Sequence, residues 1–156
     1  MSATPPIAVA DLAARVGGPP FVSRWFVLDQ PRIDAFAVAT EDRQFIHVDP
    51  VAALATPFGG TIAHGFLTLA MLAAMAEDAL PAVVGVALSL NYGFDRVRFV
   101  MPVKAGARMR GVFALAEATQ RSARQWLTRY ETAIEIEGGE KPALVAQWLT
   151  MLTTRE

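Results

Sequence analysis

From His64 to Leu80 the chain has the spacing of a helix but almost no polar face: Phe66, Leu67, Leu69, Met71, Leu72 and Met75 all precede the first acid, Glu77. A helix apolar all round has to be covered on every side, and a sheet wrapped around it does that. After Pro81 the period changes. Val83 to Leu90 is nearly all apolar, and Arg96, Arg98 and Val100 then alternate with Val97, Phe99 and Met101. In 107–119, Arg108 and Arg110 take one side and Met109, Phe113 and Leu115 the other. In 123–137, Trp126, Tyr130, Ile134 and Ile136 share a face opposite Gln125, Arg129, Glu131 and Glu135. This alternation predicts half-buried strands, with a last strand over 143–153 after the glycine-bearing loop "EGGEKP".

The first half reads differently. Ile7, Leu12 and Val16 have helical spacing and stop at Gly17. Phe21 to Leu28 reads as a strand. Asp29 before Gln30-Pro31 and Asp49 before Pro50 are cap-then-proline signals, predicting one helix from 30 and a short one over 50–55. The expected fold is α+β: one domain over residues 1–156, with an antiparallel sheet around one central helix.

Composition narrows the chemistry. The chain has no cysteine, so thiolate zinc sites and a cysteine nucleophile are out. Its net charge of −1 argues against broad nucleic-acid binding. The apolar run from Gly65 to Ala76 is too short to span a bilayer, which takes about 20 residues. A cytoplasmic protein with no membrane segment is expected. A hydrophobic content of 53% is high for one small domain, so apolar surface is expected to be buried between subunits.

Within "EDRQFIHVDP" (41–50), Asp42 and His47 stand five residues apart in the link between two helices. A carboxylate and an imidazole sharing a water can take a proton from it and give one to carbon. Equally, Asp42 could end a turn and His47 pack in the interior. In "TIAHGFLTLAM", Gly65 falls in the first turn of the central helix. First-turn N–H groups lack intrahelical partners and favour negative charge, and a glycine lets a ligand approach them. Gly65 could alternatively serve close packing. His64 could cap the helix or bond across an interface. The basic residues Arg96, Arg98, Lys104, Arg108 and Arg110 could meet phosphates, or pair with Glu131 and Glu135 on a solvated face. Asn91 and Tyr92 could hold a substrate or stabilise a bulge before Gly93. Ala73 and Ala76 could leave room for an acyl chain or simply pack.

Taken together, "FAVATEDRQFIHVDPVAALATPFGGTIAHGFLTLAML" and "LNYGFDRVRFVMPVKAGARMRG" resemble the MaoC-like family of (R)-specific enoyl-CoA hydratases over residues 21–153. The resemblance implies a hot-dog fold and pairing as homodimers whose sheets join. It implies reversible hydration of a trans-2-enoyl thioester to an (R)-3-hydroxyacyl thioester. Asp42 and His47 would activate the water, and the Gly65 N–H would hold the thioester oxygen. Gln44 occupies the amide position between the pair; His64, Asn91 and Tyr92 are the further substrate-binding candidates. No metal and no cofactor are expected beyond the coenzyme A of an acyl-CoA substrate, or an acyl-carrier thioester. This chain has Glu41 where the family commonly has glycine, and Phe45 where proline or tryptophan is common. Two other readings stand beside this one. A hot-dog thioesterase would want an acid near the start of the central helix, where the first is Glu77. A non-catalytic acyl-thioester-binding subunit would not need Asp42 and His47.

Overall fold

The computed structural model describes residues 5–155. Both cap-then-proline signals act as expected. Asp29 caps α1 (Gln30–Thr40), accepting from the Arg32 N–H at 3.2 Å, with Pro31 in the first turn where no N–H is needed. Asp49 caps α3 (Pro50–Ala53), accepting from the Val51 and Ala52 amides at 3.0 and 2.9 Å. Between them α2 (Phe45–Val48) is a single turn. Helix α1 stops at Glu41, whose φ of 62° makes it the one described non-glycine residue in the left-handed region.

The N-terminal segment departs from the expected helix. Ile7–Ala8 forms β1, which pairs in parallel with β4 (Val83–Val84), and two 3-10 turns follow, Val9–Asp11 and Ala13–Arg15. Neither turn has a side-chain cap, and strand pairing of Ile7 overrides the spacing. The expected strand over 21–28 is split into β2 (Phe21–Val22) and β3 (Phe26–Leu28). At the break, the Ser23 hydroxyl accepts from the Gly111 N–H at 2.9 Å in place of a regular ladder bond.

Four long strands, β5 (Val86–Phe99), β6 (Ala107–Ser122), β7 (Gln125–Ile136) and β8 (Leu144–Thr154), form one antiparallel sheet in the order β2-β6-β7-β8-β5, with β3 also on β6. The alternation read from sequence is met: Met109, Phe113, Leu115, Tyr130 and Ile134 are buried on one face. On that face lies α4 (Gly65–Ala79), whose Leu72 and Met75 are fully covered. Gly111 sets how closely helix and sheet approach. A Cβ there would lie 2.6 Å from the Phe113 ring and 2.9 Å from the Met75 Cβ. This is the expected hot-dog arrangement of sheet around helix.

One expectation needs correction. Within one chain α4 is covered on one side only: Phe66, Ala70, Ala73 and Ala74 are exposed. The reason is that β5 is an edge strand, open along nearly its whole length. A groove of about 800 Å³ lies between the C-terminal half of α4 and the sheet, reached by Ala73, Ala76, Asn91, Tyr130 and Trp148. Burial pushes the Tyr130 hydroxyl up to about 12, partly offset by its hydrogen bond with Thr128.

Candidate active site

His47 is held by the fold rather than by its neighbours in sequence. It sits in α2 and is buried, and its Nδ1 lies 2.7 Å from the Ile62 carbonyl oxygen. A carbonyl only accepts, so Nδ1 carries a proton, and in the neutral ring Nε2 is the nitrogen with the lone pair. The 61–63 strip is fixed in turn. The Ile62 N–H donates to Ile46 O at 3.0 Å, Ala63 N–H to Val103 O at 2.7 Å, and Ala105 N–H to Thr61 O at 3.0 Å.

His64 precedes α4 and is 2% exposed. Its Nε2–H donates to the Asp42 carbonyl at 2.9 Å, and its ring stacks on His47, centroids 3.8 Å apart and planes 26° apart. The Phe36 ring of α1 lies tilted against His64, centroids 5.0 Å apart. The Asp42 side chain is exposed, and its carboxylate, a His47 nitrogen and a His64 nitrogen all lie within 4.8 Å of one another. Asp42 and His47 are therefore close enough for one water to bridge them.

Among the described residues, these three side chains are the group whose donor atoms stand close enough together to hold a metal ion. His47 Nδ1 is committed to Ile62 and His64 Nε2 to Asp42, which leaves each ring one nitrogen, and that of His64 is buried without a partner.

Gly65 opens α4, as expected, and both readings of it have support. It offers a first-turn N–H without an intrahelical partner. A Cβ there would lie 3.1 Å from the Phe99 ring, so the glycine also serves packing. Phe66 and Phe99, both exposed, meet edge to face at 5.7 Å beside it. The substrate-binding candidates are not all brought together. Gln44 is exposed ahead of α2, where its side chain makes no cap bond. Asn91 reaches the groove along α4, while Tyr92, 60% exposed, does not line it. His64 is buried under Asp42, a position from which it supports the pair.

Among the basic residues, Arg110 pairs with Glu135 and Arg108 with Glu137, both at 2.7 Å, and both guanidinium groups lie over Trp25. That favours the solvated-face reading for these two. Glu131 instead accepts from the Gln147 amide at 2.9 Å.

Sequence reasoning missed Gln30. Its Nε2 donates to the His47 carbonyl and to the Asp34 carboxylate, each at 2.7 Å, and its Oε1 accepts from the Thr61 hydroxyl at 2.5 Å. A polar residue in the first turn of a helix carries no local signal of such contacts.

Comparison with known proteins agrees with this picture. The model of the family described as "MaoC like domain" matches residues 11–135. Nodulation protein N of Rhizobium leguminosarum bv. viciae is 50% identical over 147 residues, covering 94% of this chain and 91% of that protein. The 3-hydroxyacyl-thioester dehydratase Z of Mycobacterium tuberculosis is 44% identical over 140 residues, covering 90% and 92%. Among solved structures, the (R)-hydratase from A. caviae involved in PHA biosynthesis superposes with a TM-score of 0.71 at 22% identity, covering 85% of this chain and 93% of that one. No helix among the described residues is long and apolar enough to cross a membrane.

Proposed function

Given that the chain belongs to the MaoC-like dehydratase family, we propose that it is a hydro-lyase, interconverting a trans-2-enoyl thioester and an (R)-3-hydroxyacyl thioester at Asp42 and His47. The observation that carries this reading is the pairing of the Asp42 carboxylate with an imidazole held in one tautomer by Ile62, within 4.8 Å, beside the opening of α4.

In the hydration direction the thioester oxygen sits at the Gly65 N–H. There the helix dipole and the free donor draw electron density from the β-carbon. Water lies between Asp42 and His47. Its oxygen bonds to the β-carbon as one of its protons passes to the pair, and the pair supplies a proton to the α-carbon from the same side. One proton is taken and one given, so the pair ends the turnover as it began. General acid–base help is worth about 10²–10⁴ in rate, and one oxyanion donor about 10²–10³. The acyl chain follows the groove along α4, where Ala73 and Ala76 leave space. The open face of α4 and the apolar edge strand β5, with Leu88 and Leu90 half exposed, fit the expected pairing with a second copy.

A panel of trans-2-enoyl-CoA thioesters mixed with the purified protein tests the reading. Loss of the conjugated-alkene absorbance with an (R) product is expected. Release of free thiol without hydration would support the thioesterase instead. That reading is disfavoured because the acids of α4 are Glu77 and Asp78, at the far end of the helix from Gly65, and Asp78 is engaged by the Arg24 N–H at 2.6 Å. Binding without either reaction would support a non-catalytic subunit.

A further inference from the structure

We infer that Gln30 is a positioning residue for His47, acting through a closed loop of hydrogen bonds that fixes which imidazole nitrogen is free. The inference rests on the reading of His47 as half of the reacting pair. From the His47 carbonyl the loop runs to Gln30 Nε2 (2.7 Å) and from Gln30 Oε1 to the Thr61 hydroxyl (2.5 Å). It then passes along the chain to the Ile62 carbonyl and back to His47 Nδ1 (2.7 Å). Gln30 thus grips both the backbone that carries the imidazole and the strip that carries its acceptor.

The orientation of the Gln30 amide is fixed by its partners. Nε2 meets two pure acceptors, the His47 carbonyl and the Asp34 carboxylate, and Oε1 meets a hydroxyl that has nothing else in the trio to donate to. A flipped amide would set oxygen against two oxygens. The half-buried amide therefore makes three bonds: a carboxylate of the same length could keep only the one from Thr61, and an apolar side chain none. Without them the Ile62 carbonyl and the His47 ring are free to shift relative to each other. A shift of about 1 Å in a reacting group can cost on the order of 10² in rate.

The test uses Gln30→Met, which keeps length and loses all three bonds, and Thr61→Val, which removes only the hydroxyl. Thr61→Ser is the conservative control that keeps it. Two readouts are taken below each variant's melting temperature: steady-state enoyl-CoA hydration, and the ¹⁵N chemical shifts of the His47 ring in the free protein. Gln30→Met and Thr61→Val are expected to lower kcat at least tenfold with KM within about twofold, and to move the His47 signals from the Nδ1–H form toward a mixture. Thr61→Ser should retain both properties, and the double variant Gln30→Met/Thr61→Val should be no worse than the poorer single one. A folded Gln30→Met or Thr61→Val protein with wild-type His47 shifts and wild-type kcat overturns the inference, even if it melts earlier. Should the wild-type protein hydrate nothing, the proposed function fails, and the nitrogen shifts still decide whether Gln30 sets the tautomer.

Discussion

The imidazole of His64 lies against that of His47, ring centroids 3.8 Å apart, while its Nε2–H holds the Asp42 carbonyl at 2.9 Å. One buried side chain thereby touches both members of the reacting pair. His64→Ala removes a buried ring and leaves the Asp42 carbonyl without that donor. Its cost should be about 2–4 kcal/mol of stability. His64→Phe keeps a flat ring against His47 and loses only the bond to Asp42. Turnover in both variants below their melting temperatures separates the two contributions. Wild-type turnover in His64→Ala would show that the contact with the pair is idle.

The Asp42 side chain is exposed, which makes it a clean target. Asp42→Asn should leave the melting temperature nearly unchanged, since surface substitutions usually stay within about 0.5 kcal/mol. It should nevertheless lose about 10²–10⁴ in hydration rate, because an amide cannot exchange the proton. Asp49→Asn, at a helix cap outside the cluster, is the comparison. If both asparagine variants hydrate equally well, Asp42 takes no part in the proton transfers.

Gly65 answers to two demands that one substitution separates. Adding a methyl group puts a Cβ 3.1 Å from the Phe99 ring, but Phe99 is 48% exposed and can swing aside. Gly65→Ala should therefore fold, with a stability change under about 1 kcal/mol. The same methyl group stands in the path of the thioester oxygen. A rate loss of up to about 10² is expected, bounded by what one oxyanion donor contributes. In Gly65→Ala/Phe99→Ala the packing conflict is gone. Recovery of full activity in that double variant would assign Gly65 to packing alone.

Much of this was legible because its causes are local. Asp29 and Asp49 each act within three residues, and the alternation in β6, β7 and β8 needs only the sheet to have an inside. What was not legible acts across the chain. Gln30 reaches 17 residues to His47 and 31 to Thr61, and His47 reaches 15 to Ile62. No periodicity encodes those contacts. The expectation of a helix covered on all sides failed for a related reason: apolar side chains on the open face of α4 record a need for cover, but not whether the cover comes from the same chain.

Glu41 joins the two levels. In sequence it stood out as a departure from a family position that commonly holds glycine. In the fold it closes α1 with φ 62°, where a Cβ crowds the following carbonyl. Glu41→Gly should raise stability by about 0.5–1 kcal/mol, the relief of left-handed strain less the added freedom of the unfolded chain. For a chain of this size that is roughly 1–4 °C in Tm. A drop in Tm would mean that the carboxylate makes a stabilising contact that outweighs the strain.

Tyr130 gives the fold a pH limit that can be read without any substrate. Burial raises its hydroxyl from 10.0 to about 12 in the folded protein. Between those values the unfolded chain has released the proton and the folded one has not. The unfolded state therefore binds fewer protons, and stability falls as pH rises. The contribution is present in full below pH 10 and is lost on the way to 12. Two pH units correspond to about 2–3 kcal/mol at most. Tyr130→Phe loses the bond with Thr128 but has no proton to release. Its denaturation midpoint should drop less than that of the wild type between pH 8 and pH 11, so the gap between the two proteins narrows or reverses in alkali. Midpoints that fall in parallel would mean that the phenol already reaches water in the folded state, and that the groove beside α4 is wetter than its lining implies.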